Sequence, residues 1–208
     1  MHPRFDAVIF DLLTGLLDSW SFWDRIARDP DVGTRWRLRY LEISYGVGEY
    51  RPVESLVARA AEDVGLSSDL AGEMFECWDQ LEPWPEVPQV LSSLGNCPMG
   101  VVTNCSESLA QRAVERVGVS FSVVVSAERA GAYKPDPRPY RVALSELTVP
   151  SDRVLYVAGS PYDVRGASEL GLSVFWHNRV GLKSDAAPLA TVVADTLDPL
   201  APLVVGGG

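Results

Sequence analysis

Residues Ala7-Val8-Ile9-Phe10-Asp11, running on into Leu12-Leu13-Thr14-Gly15-Leu16-Leu17-Asp18, decide the fold. Four apolar residues follow one another without alternation and stop at a carboxylate. A strand with one wet face alternates, so an unbroken run suits a strand covered on both faces of a parallel sheet. The same kind of run recurs in Met99-Gly100-Val101-Val102-Thr103, Val123-Val124-Val125, Val154-Leu155-Tyr156-Val157 and Ser173-Val174-Phe175-Trp176, and more weakly in Thr191-Val192-Val193. Helical spacing lies between these runs, over 106–117 with Gly118 as its stop, over 139–147, and over 162–170 with Gly171 as its stop. Alternating strands and helices predict an α/β sheet with right-handed crossovers. Ligands of such sheets bind beyond the carboxyl ends of the strands.

The stretch 17–85 interrupts the alternation and holds no convincing strand. Trp36, Tyr40, Leu41 and Ser44 or Tyr45 fall at helical spacing in 34–45, and 54–64 and 68–81 read as two further amphipathic helices. A helical insert therefore follows the first strand. Glu82-Pro83-Trp84-Pro85-Glu86-Val87-Pro88 is stiff punctuation where the chain returns to the sheet.

Composition narrows the function. The 208 residues carry 18 Lys+Arg against 28 Asp+Glu, a net charge of −10, with 47% hydrophobic and 22% charged residues. That is an ordinary globular composition. The acidic balance argues against nucleic-acid and anionic-membrane partners, which need clustered cations. The four apolar residues before Asp11 read as neither a signal peptide nor a membrane span. Cys77, Cys97 and Cys105 form no CxxC, so reduced thiols in a cytoplasmic setting are the default. Two histidines, His2 and His177, leave almost no material for a histidine metal site or a Ser-His-Asp triad.

Four polar points follow buried strands: Asp11, Thr103-Asn104, Lys134 in Tyr133-Lys134-Pro135-Asp136, and Ser160 with Asp163 in Gly159-Ser160-Pro161-Tyr162-Asp163. Singly, each reads as a cap, a turn or a surface charge. Jointly, at one sheet edge, they put two carboxylates, an amide and an ammonium around one pocket.

With these motifs the chain resembles the haloacid dehalogenase superfamily of hydrolases over nearly its whole length. The resemblance implies a Rossmann-like core with a parallel sheet, comprising 1–16 and 86–208, and an inserted all-helical cap domain over 17–85. It makes Asp11 the nucleophile. Two departures separate the chain from the magnesium phosphatases of that superfamily: Leu13 stands where they have a general-acid aspartate, and Gly159 stands where they have a metal-binding one. Trp36-Arg37-Leu38-Arg39-Tyr40-Leu41-Glu42 is similar to a cap helix of the L-2-haloacid dehalogenases, which implies that Arg37 binds a departing halide.

The resemblance further implies that Lys134 pairs with Asp11, that Tyr140 orients Lys134 or lines the pocket, that Tyr162 faces the substrate, and that Asp163 activates water. Leu12, Leu13, Thr14, Thr103, Asn104, Tyr140, Ser160 and Tyr162 form the implied substrate-binding set. The implied substrate is a small carboxylic acid attacked through an aspartyl ester, with no cofactor and with a homodimer as the implied assembly. Thr14-Gly15 stands where the dehalogenases have Gly-Thr, and Ala158-Gly159-Ser160 stands where they have a Ser-rich motif with Asn. Those departures keep three alternatives open: a phosphatase holding Mg²⁺ through Asp11 and Asp163, a hydrolase opening a strained ring on a carboxylic acid, and an inactive binding protein on the same scaffold.

Overall fold

The computed structural model describes residues 4–206. Six strands form one parallel sheet: β1 (Ala7–Phe10), β2 (Met99–Thr103), β3 (Val123–Ser126), β4 (Val154–Ala158), β5 (Ser173–His177) and β6 (Val192–Ala194). Their order across the sheet is β3-β2-β1-β4-β5-β6. The order reverses at β1, which pairs with β2 through Phe10 and Val101 and with β4 through Phe10 and Val157. The tip of β1 is thus the crevice where such sheets bind ligands. Every residue of β1 and β4 is buried, as unbroken apolar runs require.

Helices α5 (Val87–Ser93), α6 (Glu107–Val117), α7 (Ala127–Ala130), α8 (Pro137–Leu147), α9 (Pro161–Glu169) and α10 (Leu200–Val205) accompany the sheet. Between β1 and β2 the chain inserts four others: α1 (Ser19–Ala27), α2 (Pro30–Gly46), α3 (Val53–Asp63) and α4 (Asp69–Glu76). This is an α/β core carrying an inserted helical cap. The two crossings between cap and sheet lie side by side. Asp18 N donates to Glu82 O at 2.8 Å, Trp84 N donates to Leu16 O at 3.0 Å, and Leu17 bridges Pro83. The expected cap helix over 68–81 is shorter than its pattern suggests, ending as α4 at Glu76 before a separate turn at Trp78–Gln80. Helix α1 has no counterpart among the expected elements; Asp18 caps it by accepting from Ser21 N.

Helix α2 matters most for the site. Asp29 caps it by accepting from Asp31 N and Val32 N, and Pro30 opens it. Gly33 lets α1 approach, because a Cβ there would lie 2.5 Å from Asp24 Cα. Trp23 and Trp36 meet edge to face with ring centres 4.7 Å apart, and Trp36 Nε1 donates to Val57 O at 3.0 Å. Trp23 also packs on Tyr40, with ring centres 5.3 Å apart, and lies under the Arg37 guanidinium, so the same buried contacts fix the two α2 side chains that face the sheet edge. Tyr40 completes the docking by donating to Asn104 O at 2.8 Å. Among the described residues, no helix is long and apolar enough to cross a membrane. Trp36→Ala is expected to lower the unfolding free energy by about 3–5 kcal/mol, read by urea denaturation.

Candidate active site

Asp11 leaves the tip of β1 with its N–H held by Val157 O at 2.9 Å. The chain then winds into a tight turn over Leu12–Leu16 that points its first N–H groups back at the carboxylate. Asp11 Oδ2 accepts from Thr14 N at 2.8 Å, Thr14 Oγ1 at 2.5 Å and Gly15 N at 3.1 Å. Asp11 Oδ1 accepts from Lys134 Nζ at 2.7 Å. Burial pushes the Asp11 carboxyl up, but the Lys134 charge and hydrogen bond and the Thr14 donors outweigh it and hold it below its usual range.

Lys134 is fully buried and shared. Its Nζ lies 3.0 Å from Asp163 Oδ1 and 3.1 Å from the Tyr156 hydroxyl. Burial opposes its charge, and the two carboxylates more than restore it, so the ammonium is held above its usual value. Asp163 differs. It is buried, repelled by Asp11, and held above the usual carboxylate range despite Lys134. Its Oδ1 also accepts from Tyr140 at 3.1 Å and from Tyr156 at 3.4 Å.

Above Asp11 lies a small cavity, leaving ≈ 10 Å³ for the centre of a water molecule. Asp11, Leu13, Thr14 and Asn104 floor it. Arg37, Tyr40, Leu41, Ser44 and Tyr45 of α2 roof it. Arg37 is 2% exposed. Its guanidinium lies 5.1 Å from the Trp23 ring centre, 5.6 Å from Tyr40 and 5.8 Å from Trp20. Its buried Nε has no hydrogen-bond partner among the described residues. Burial weakens the hold on its proton, yet a guanidinium in a protein stays charged.

The cavity therefore gathers Asp11, Leu13, Thr14, Arg37 and Asn104 from the expected set, with Lys134 and Asp163 behind Asp11. The other members lie elsewhere. Leu12 is packed in the core. The Thr103 hydroxyl faces Cys105 Sγ at 3.7 Å, away from the cavity. Tyr140 holds Asp163 rather than Lys134. Ser160 caps α9 and reaches the Tyr45 hydroxyl at 3.0 Å. Tyr162 is 37% exposed and stacks on Tyr45 outside the cavity wall. Asn104 also fixes the backbone of Lys134, because its side chain accepts from Lys134 N at 2.7 Å and donates to Lys134 O at 3.1 Å. Two residues of the site lie outside the expected set: Tyr156, a strand residue, and Tyr45, which the sequence marked only by its helical spacing in 34–45. A buried tyrosine hydroxyl needs a partner, and that was the available signal.

The residues do not fit the magnesium alternative. An ammonium fills the space between Asp11 and Asp163, and the oxygens a hard cation would need are already accepting hydrogen bonds. Among the described residues, no three His, Cys, Asp or Glu side chains cluster in a way that could hold a metal ion. At residue 159, where a phosphatase carries its second aspartate, a Cβ would collide with Thr14 Oγ1, lie 2.5 Å from the Thr14 carbonyl carbon and 2.6 Å from Gly15 N.

Residues 51–177 match the family model described as haloacid dehalogenase-like hydrolase. The chain belongs to this family. Among its relatives, haloacetate dehalogenase H-2 of Moraxella sp. (strain B) is 28% identical, with 88% of this chain and 89% of that protein covered. The (S)-2-haloacid dehalogenase of Xanthobacter autotrophicus is 29% identical, with coverages of 93% and 82%. The solved structure of L-2-haloacid dehalogenase from Xanthobacter autotrophicus superposes with a TM-score of 0.81 at 25% identity, covering 98% of this chain and all of that one. Within this family fold, the packing around Gly159 carries a direct consequence. Gly159→Asp is expected to cost about 1–3 kcal/mol of stability in urea denaturation, with no recovery on adding Mg²⁺.

Proposed function

We propose that the chain hydrolyses the carbon–halogen bond of a small 2-haloacid through an ester on Asp11. The observation that carries this reading is the buried Arg37 guanidinium, whose Nε has no hydrogen-bond partner among the described residues and which shares one cavity with the Asp11 carboxylate. The similarity to haloacetate and 2-haloacid dehalogenases supports the same chemistry. Residues 17–85 act as the cap and 1–16 with 86–208 as the core. The chain's free cysteines favour a reducing cytoplasm.

The two oxygens of Asp11 divide the work. Oδ1 accepts one hydrogen bond and keeps a lone pair for the substrate carbon, whereas Oδ2 is loaded with three donors. Attack forms an Oδ1–carbon bond, and the carbon–halogen electron pair leaves with the halide. Arg37 meets that anion within a wall of Trp20, Trp23 and Tyr40, which keeps competing water away. The second Nδ2–H of Asn104 is free to assist, since the first serves Lys134 O. Leu13 keeps the floor apolar beside the nucleophile.

Water then attacks the ester carbonyl carbon. The developing oxyanion is Oδ2, already surrounded by Thr14 N, Thr14 Oγ1 and Gly15 N. Asp163 is the base, and Lys134 holds it beside Asp11. The cavity is too small for a haloacid as it stands, so α2 must lift or its side chains swing before substrate enters.

Purified protein is expected to release chloride from 2-chloropropionate at a rate unchanged by EDTA. Asp11→Asn is expected to lower kcat/KM by about 10³ or more. Full activity in that variant, or halide release only with Mg²⁺, overturns the mechanism.

The pH dependence of the first half-reaction follows from the charges. Asp11 must be ionised, and its carboxyl lies below the usual range, so the burst of halide is expected to persist to about pH 4 before falling. Lys134 must stay charged, and its raised value puts the alkaline loss above about pH 10. Stopped-flow halide bursts across this range test both limits.

A further inference from the structure

We infer that Tyr45 of the cap relays the proton of the hydrolytic water to Asp163. The inference rests on the haloacid reading above and concerns its second half-reaction. Asp163 is fully buried and does not line the cavity, so a water poised over the Asp11 ester has no direct contact with it. Tyr45 reaches both places, the second of them through Ser160. It roofs the cavity, and its hydroxyl lies 3.0 Å from Ser160 Oγ, which donates to it. Ser160 Oγ in turn lies 3.5 Å from Asp163 Oδ2 and so stands between Tyr45 and the Asp163 carboxylate. Stacking on Tyr162, with ring centres 4.7 Å apart, fixes the ring.

A relay needs a group that gives one proton as it takes another. Burial and the nearby carboxylates keep the Tyr45 phenol protonated well above its usual value, so it passes a proton without resting as a phenolate. In the hydrolytic step, water oxygen bonds to the ester carbon, and the carbonyl pair moves onto Oδ2. One water proton goes to Tyr45 Oη, the Tyr45 hydroxyl turns to give its proton to Ser160 Oγ, and the Ser160 proton goes to Asp163. When the intermediate collapses, the carbon–Oδ1 bond breaks and its electron pair leaves with the hydroxyacid oxygen. That oxygen recovers the proton from Asp163 by the same route. Asp11 is left as a carboxylic acid and ionises to solvent.

The decisive experiment compares wild-type protein and Tyr45→Phe on 2-chloropropionate by rapid mixing, with halide and intact protein mass followed together. The amplitude of the halide burst counts folded, competent sites, so a folding defect is visible separately from a chemical one. The expected result in the variant is a burst of at least half the wild-type amplitude, a steady-state rate lower by about 10²–10⁴, and accumulation of the esterified protein by mass. An unchanged steady-state rate overturns the relay. A burst and a turnover reduced by the same factor also overturn it, because Tyr45 then only shapes the cavity. A wild-type protein that releases no halide and forms no adduct overturns the haloacid reading itself, and is distinguished from failure of the relay by that lack of any first half-reaction.

Discussion

The Lys134 ammonium between the carboxylates of Asp11 and Asp163 is the interaction on which the rest of the site depends. Three charged groups this deeply buried are costly, and breaking such a set by removing one member is worse than never having built it. The fold therefore devotes structure to holding Lys134. Asn104 clamps its backbone from both sides, Tyr156 meets its Nζ, and Asp163 is itself secured by Tyr140. Lys134 in turn sets the two carboxylates apart. Asp11, with Lys134 and three further donors, is held below the usual carboxylate range, while Asp163, buried and repelled by Asp11, is held above it despite Lys134. Two like groups in one site with opposed tendencies are how acid and base roles are assigned.

The charge of the set stays constant through the proposed cycle. Asp11 and Asp163 balance Lys134 and Arg37. When Asp11 becomes an ester, its negative charge does not vanish but moves to the halide beside Arg37. The repulsion that Asp11 exerts on Asp163 disappears at the same moment, which eases the burial of the second carboxylate beside Lys134. An apolar lid over the cation makes this transfer favourable, because Coulomb attraction is stronger where water is excluded.

Much of this was legible in the chain. Unbroken apolar runs ending in polar residues located all six strands, and the tip of β1 had to be the reactive edge because carboxyl ends of strands converge there. Arg37 was legible only through the resemblance of its helix to a dehalogenase cap helix; the structure puts positions 37, 40, 41, 44 and 45 on the side of α2 that roofs the cavity. Tyr156 was hidden, since a tyrosine within Val-Leu-Tyr-Val reads as strand packing until its hydroxyl is seen against Lys134. Ser160 and Tyr162 occupy the expected stretch of chain but not the cavity wall; the start of α9 turns Ser160 to capping and leaves Tyr162 on the outside. Side-chain direction at a helix start is set by tertiary packing, which spacing alone does not carry.

The two motif departures are one exchange seen twice. Thr14 brings a side chain whose hydroxyl reaches Asp11 Oδ2. That side chain fills the space in which a Cβ at residue 159 would lie, so residue 159 has none. Gly15, now without a hydroxyl, donates its N–H to the same oxygen and packs under the Val157 carbonyl. The turn is braced from behind by residues of the returning chain: His177 Nδ1 meets Gly15 O at 2.9 Å, and Trp84 Nε1 donates to Thr14 O at 3.4 Å. Burial keeps that histidine below its usual value, so a neutral ring supports the turn without adding a charge beside Asp11. Position by position, the changes look like losses from a catalytic motif. In three dimensions Thr14 and Gly15 put a hydroxyl and two N–H groups on one carboxylate oxygen, and their packing leaves no room for a side chain at residue 159.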